Sequence, residues 1–461
     1  MSDNRLIATM PAAGANAPWE FPTTQQHTLA NGITVLCSHM PGVSVGAIGM
    51  SLGYGPVDDP ATKAGLASLT TQVMLAGVRG GDAATFGRSC DRLGAHVQSM
   101  CTPNGTFIGG YAPAHQLADF AALLAQIRSE ATLADHEIEL ARSRARYSAQ
   151  MSSSYGQGVA ALALRHALYP ASARAHLPAD GTSRSLQQIS AADVRDFYHE
   201  IITRCSAQIF ICADFTHVNL DRLLAPFATW ENTANFTLLA PAHSGMQPGA
   251  LTIIDWPEEP QTQLLVAAAA GNLTDPHLTG AEVGTQVLGV GSESLLFYRL
   301  REQHGWTYGA HAALAAGPRF GSLVIQSAVT NEAATKALAE IFTVWDEFTS
   351  TALAPARHHQ GVVELVGMLA ASAESPLDIV EHAASATQRG LAYDDVATRM
   401  NAYHATTAVR VPSDFAACVK RDHVHIVMVG DAKAITSTLP AQVRNLPVNV
   451  IAVDDFVADL T

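Results

Sequence analysis

Cysteine is scarce, and what there is cannot brace a fold. The six residues Cys37, Cys90, Cys101, Cys205, Cys212 and Cys418 include no C-x-x-C pair and are spread over 461 positions, which excludes a disulfide framework. They read as small core residues and suit a reducing compartment. Long apolar runs are also missing. The longest, such as Leu264–Ala270, stop far short of the roughly 20 residues that a membrane-spanning helix needs, so no membrane span is expected. Basic side chains are outnumbered, 27 to 41, and the net charge of -14 argues against a nucleic-acid partner while suiting solubility or a basic peptide. The start, Met1-Ser-Asp-Asn-Arg5, runs into Pro11, Gly14 and Pro18 without a continuous apolar core. It does not read as a secretory signal, so the expected compartment is the cytoplasm, or the periplasm if a signal peptide has been removed.

What the chain does have is apolar bulk, 48% of its residues, enough for more than one core. Two stretches share one grammar. The first opens with strands flanking Asn31-Gly32, a favoured hairpin turn, followed by a helix from about Thr62 to Ala76 with Leu66, Leu69 and Val73 at helical spacing. Helices follow around Ala84–Leu93, Leu117–Glu130, Asp135–Met151 and Ala191–Ile201, and Cys205–Ala213 reads as a buried closing strand. Asn104–Tyr111 reads as a strand able to line a chamber and pair with a peptide, or as an ordinary sheet strand. From about 229 to 249 the periodicity gives way to Asn, Thr, Pro, His, Ser and Gly, the composition of a linker. Strands and helices then resume, ending in Val424-His-Ile-Val-Met-Val-Gly-Asp431, which matches the Ile209-Phe-Ile-Cys-Ala-Asp214 ending of the first stretch. Asp193-Val194 with Tyr198-His199 and Asp395-Val396 with Tyr403-His404 precede the two endings. The pattern points to a duplication with parts at 20–230 and 250–445 and a linker at 231–249.

One segment of the second part presents chemistry. In Ser292-Glu-Ser-Leu-Leu-Phe-Tyr-Arg-Leu-Arg301-Glu-Gln-His-Gly305-Trp-Thr-Tyr308, Ser292 can cap a helix, Leu295, Leu296 and Leu300 form its apolar face, and Gly305 suits the left-handed residue past its end. Arg301 and Tyr308 can then point the same way, offering a cationic fork and a phenolic donor to a carbonyl oxygen. Alone, R-x-x-x-G-x-x-Y is a weak signal, since the helix dipole favours arginine there and strand-end tyrosines commonly serve packing.

With Leu29-Ala-Asn-Gly-Ile-Thr-Val35, Ile254-Asp-Trp-Pro257, Leu295-Leu-Phe-Tyr-Arg-Leu-Arg-Glu302 and Val429-Gly-Asp431, the chain resembles the pitrilysin/insulinase family of zinc metallopeptidases over nearly its whole length. The likeness is to its short two-subunit type, similar to mitochondrial processing peptidase and bacterial paired peptidases. The resemblance implies an α+β fold of two homologous halves, each a mostly antiparallel sheet with helices packed on one side, enclosing part of a chamber. Active members carry H-x-x-E-H after a Gly-Leu-Ala. Here Gly65-Leu66-Ala67 is followed by Ser68, Thr71 and Gln72, where the resemblance puts two histidine ligands and the glutamate base. These positions share a helix face and read as the polar side of an amphipathic helix, but neutral hydroxyl and amide groups do not hold zinc. The third ligand would be a glutamate about 75 residues further on, and no Asp or Glu occurs between Glu139 and Asp180.

By the same resemblance, Arg301 and Tyr308 are substrate-binding or transition-state residues facing a zinc site in a partner. The chain is therefore expected to bind no metal and to hydrolyse nothing alone. It would be the non-catalytic subunit of a heterodimeric peptidase, with zinc in an H-x-x-E-H partner and a peptide as substrate. The alternative is a catalytically inert structural or peptide-binding homologue.

Overall fold

The computed structural model describes residues 19–231 and 246–460. Most of the expected linker and the expected non-signal N-terminus lie outside the described residues. Among the described residues twelve strands form two six-stranded sheets. The first contains β1 (Thr24–Thr28), β2 (Thr34–His39), β3 (Val45–Leu52), β4 (His96–Thr102), β5 (Gly105–Pro113) and β6 (Ala207–Ala213), in the order β1-β2-β6-β3-β5-β4. The second contains β7 (Leu251–Asp255), β8 (Thr262–Ala270), β9 (Thr307–Ala316), β10 (Gly321–Val329), β11 (Val419–Gly430) and β12 (Val448–Ala452), in the order β12-β7-β11-β8-β10-β9.

Strand for strand, β2-β6-β3-β5-β4 repeats as β7-β11-β8-β10-β9. The first two members of each series pair parallel and the remaining neighbours antiparallel. The two endings noticed in the sequence are β6 and β11, which hold the same place in their sheets. Only the outermost strand differs: β1 precedes its sheet and runs antiparallel to β2, whereas β12 follows its sheet and runs parallel to β7. The second sheet thus continues past residue 445. The α+β class and the two-half plan stand as the sequence implied.

One face of each sheet carries the helices of its own half. Against the first lie Leu66–Met74 and Leu117–Ser129, and against the second lie Leu278–Gly289 and Ala334–Ser350. The opposite face is covered as well, by a helix from the other half. Gly156–Leu168 lays Val159, Ala160, Ala163 and Leu164 against Ile254, Leu265, Ala267, Val427 and Val429 of the second sheet. Reciprocally, Pro376–Gln388 lays Ile379, Val380, Ala383 and Ala384 against Leu36, Ala47, Phe107, Phe210 and Cys212 of the first. This is why β8 is apolar without a break from Leu264 onward. Leu264, Val266 and Ala268 face one layer and Leu265 and Ala267 the other, so both faces of the strand are dry.

Local chemistry supports the exchange. Pro376 occupies the first turn of its helix, and Ser375 and Asp378 form a capping box: Asp378 N–H donates to Ser375 Oγ at 3.2 Å and Ser375 N–H to Asp378 Oδ2 at 2.9 Å. At the sheet, Gly49 faces Gly109 across β3 and β5. A Cβ on Gly49 would lie 2.3 Å from the Phe107 ring and 2.9 Å from Val380, so glycine is what lets the helix settle. Each large apolar side chain buried there contributes on the order of 2 kcal/mol.

The strand expected at Asn104–Tyr111 exists as β5, but it is an interior strand paired with β3 on one side and β4 on the other. Its backbone is committed to the sheet, which overturns the idea that it could pair with a peptide.

Candidate functional site

Gly65, at φ +98°, turns the chain into the helix Leu66–Met74. The helix start is pinned by Asp59, whose carboxylate accepts from Gly65 N–H and Ala67 N–H, each at 2.8 Å, and from Arg174. Ser68 and Thr71 then point into the protein, at 4% and 2% exposure, so they are not the polar, solvent-facing side that the sequence suggested. Ser68 Oγ donates to the Ala179 carbonyl at 3.4 Å. Thr71 Oγ1 donates to the Ala67 carbonyl at 2.8 Å and accepts from the buried Tyr54 hydroxyl at 2.7 Å. Of the three motif positions only Gln72 is exposed.

Gln72 lines a cleft of about 480 Å³. Its other walls are the helix Asp135–Ser152, with Arg144 and Ser148, the helix Gly156–Leu168, with Ala161 and Arg165, and the loop at Asp180. These residues do not fit zinc. The motif positions offer hydroxyls and an amide, and the facing helix offers guanidinium and hydroxyl where a metal needs imidazole, thiolate or carboxylate. Among the described residues no three His, Cys, Asp or Glu side chains stand close enough to share a metal ion. The thiol that approaches Ser68 is Cys101, and burial pushes its pKa up to about 11, so it is neither a ready ligand nor a nucleophile near neutral pH.

In the second half the cap of the Arg301 segment is Ser294, which accepts from Phe297 N–H at 3.4 Å, not Ser292, which is exposed at the edge of a cleft. One α turn, Leu295–Phe297, leads into a π-helical stretch, Tyr298–Gln303. Leu296 and Leu300 enter the core, and Gly305 takes the left-handed conformation expected of it, at φ +66°. Arg301 lies with its guanidinium 4.8 Å from the Phe297 ring centroid and 3.7 Å from Glu302.

Tyr308 sits in a bulge of the edge strand β9. Ser327 pairs with Ala310 and Val329 with Thr307, so Tyr308 and Gly309 together oppose Ala328 alone. The bulge is stapled by side chains: Thr307 Oγ1 donates to the Ala328 carbonyl at 2.7 Å and accepts from Gly309 N–H at 3.0 Å, while Ser327 Oγ donates to the Gly309 carbonyl at 2.9 Å. Tyr308 is left 84% exposed. Arg301 and Tyr308 do not bond to each other, but Phe297 under the one and Gly309 beside the other line a common cleft of about 470 Å³. Ala161 lines both clefts, so the helix Gly156–Leu168 is the wall between them.

Both halves thus have the α+β plan that the resemblance implies, with Ser68 and Thr71 buried and Tyr308 outward. Residues 188–360 match the family described as the peptidase M16 inactive domain. No curated protein matches the chain. The M16 resemblance extends in fold beyond the matched residues. A solved peptidase M16 inactive domain from Pseudomonas fluorescens has a TM-score of 0.79 at 19% identity, covering 89% of this chain and 98% of its own. A protease from Helicobacter pylori has a TM-score of 0.79 at 13% identity, covering 89% and 100%. A chain of complex III2 from Candida albicans has a TM-score of 0.72 at 13% identity, covering 88% and 95%.

Sequence reasoning missed Arg144, Arg165 and Asp180 as cleft residues and the Asp59–Arg174 pair behind them. The available signal was the acid-free stretch after Glu139, which was informative for the arginines it contains as well as for the glutamate it lacks.

Proposed function

We propose that this M16 chain is the non-catalytic, substrate-binding subunit of a heterodimeric zinc metallopeptidase whose partner carries H-x-x-E-H. The observation that carries the reading is the unequal fate of its halves. Ser68 and Thr71 lie in the interior, while Arg301 and Tyr308 stand outward with no hydrogen-bond partner among the described residues, Glu302 being 3.7 Å from Arg301. Zinc, activated water and general base would be the partner's. This chain would bind and orient the peptide, with the Arg301 guanidinium and Tyr308 hydroxyl donating to carbonyl oxygens at or beside the scissile bond. The Phe297 ring under Arg301 and the stapled backbone of the Tyr308 bulge limit the freedom lost on binding.

The test is peptide turnover by the pair reconstituted with its native companion. Arg301→Ala and Tyr308→Phe should each lower kcat/KM, the first by roughly 100-fold, the size of losing one donor to a developing oxyanion. Unchanged turnover in both variants would remove the role assigned to them.

A second reading is an inert structural homologue, favoured by the likeness in fold to a chain of complex III2. Isolation of this chain in a large assembly, with no zinc-motif companion of similar size, would support it.

A further inference from the structure

We propose that the cleft bounded by Gln72, Arg144 and Arg165 is a binding site for a peptide carboxylate. This extends, and rests on, the reading of the chain as a substrate-binding subunit, but it needs no partner.

The argument begins with charge. In a chain of net charge -14, the stretch from 140 to 179 contains Arg142, Arg144, Arg146, Arg165 and Arg174 and no acidic residue. Two of these cations are neutralised. Arg142 pairs with Glu139 and donates to the Ile189 carbonyl at 2.7 Å, and Arg174 pairs with Asp59 and donates to three loop carbonyls. Arg144 and Arg165 form no ion pair with any described residue. Among the described residues the one hydrogen bond of Arg165 is a long one, 3.4 Å to the Ala175 carbonyl. Desolvation lowers its pKa, as expected of a cation without a full counter-ion. These two line the same cleft from neighbouring helices, and Asp180 is the only acidic residue among its described walls.

The remaining walls say what kind of anion fits. Ser148, Ser152 and Ser183 add hydroxyls to the walls, whereas Ala145, Ala149 and Leu162 are apolar. A bare phosphate would leave that apolar surface wet. A carboxylate attached to a peptide fills about 480 Å³ and covers it. At the rim stands Tyr155, exposed by 49% and available to the residues flanking the carboxylate. The carboxylate can be a chain terminus or an acidic side chain.

The experiment is fluorescence anisotropy on the full chain alone. The probe is a fluorescein-labelled peptide of glutamate and leucine with a free C-terminus, compared with its C-terminal amide, its glutamine counterpart and the peptide lacking both charges. The acidic peptide should bind, more weakly at high salt. Arg144→Gln and Arg165→Gln should each weaken it about tenfold, the size of one charge-assisted hydrogen bond. Arg92→Gln, the same charge change on the exposed face of the helix Ala83–Leu93, should leave it unchanged.

Loss of binding on amidation alone assigns the terminal carboxylate, and loss on glutamine substitution alone assigns the side chain. The proposal is overturned by no binding, by equal binding of the uncharged peptide, by full affinity in both arginine variants, or by equal weakening in Arg92→Gln. If Arg165→Gln does not fold, the exposed Arg144 carries the test by itself. Affinity of the isolated chain is read separately from turnover by the pair, so failure here leaves the roles of Arg301 and Tyr308 to their own test.

Discussion

Arg174 bonds to Asp59 through both Nη2 and Nε, at 2.8 and 3.1 Å from the same carboxylate oxygen, and the Asp59 side chain has no exposed surface at all. The pair ties two backbone segments together. Asp59 holds the start of the helix Leu66–Met74, while the other nitrogens of Arg174 hold the carbonyls of Leu177, Pro178 and Ala179. Substitution Arg174→Ala therefore leaves a buried carboxylate facing only two amides and frees one wall of the Gln72 cleft. It should destabilise the chain by about 3–5 kcal/mol in urea unfolding. Adding Asp59→Asn should recover part of that loss, and a double variant as unstable as the sum of its singles would count against a direct pair.

Thr71 matters to stability because of Tyr54. In Thr71→Val the shape is kept, but the Tyr54 hydroxyl, in a fully buried residue, loses its 2.7 Å contact. An unsatisfied buried hydroxyl costs about 1–3 kcal/mol. The double variant with Tyr54→Phe should be less destabilised than Thr71→Val alone, as measured by thermal or urea unfolding.

Gly49→Val tests the helix exchanged onto the first sheet. The new side chain would meet the Phe107 ring and Val380 well inside contact distance, forcing the helix Pro376–Gln388 away from β3. Overpacking of this kind costs about 1–3 kcal/mol. Cutting Phe107 back to leucine in the same chain should return part of it, which urea midpoints would register.

His166 provides a pH dependence. Its ring stacks on His176 with centroids 3.9 Å apart, and burial, together with the His176 charge, lowers its pKa from 6.5 to about 4. The unfolded chain therefore binds the proton more readily than the folded one. Stability from this site is complete above the unfolded value of 6.5 and falls as pH drops toward about 4. Melting temperatures across that window should decline less in His166→Phe than in the unaltered chain; parallel curves would exclude this histidine as a source of acid sensitivity.

Much of this was legible in the sequence where the signal is local. The Asn31-Gly32 hairpin, the helix around Leu66, Leu69 and Val73, and the left-handed Gly305 all follow from short-range pattern, and each is in place. The errors concern what lies far away in the chain. Ser68 and Thr71 read as a polar face because their helix is judged without the Ala179 loop and Tyr54 that cover it. Ser292 and Ser294 are equally good caps on composition, and only the π-helical continuation selects the latter. The β5 segment reads as available to a peptide until β3 and β4 take its two edges. No periodicity announces that Gly156–Leu168 and Pro376–Gln388 would trade places.

That trade also sets an order on synthesis. When β6 leaves the ribosome, the first sheet has all its strands, yet Leu36, Phe107 and Phe210 lack their covering helix until residues 376–388 have been made. The second sheet meets its helix Gly156–Leu168 already waiting. Nascent chains of this protein therefore carry a bare apolar face through most of the second half of translation, the interval in which a holding chaperone has something to grip and a stalled ribosome has an aggregation-prone product.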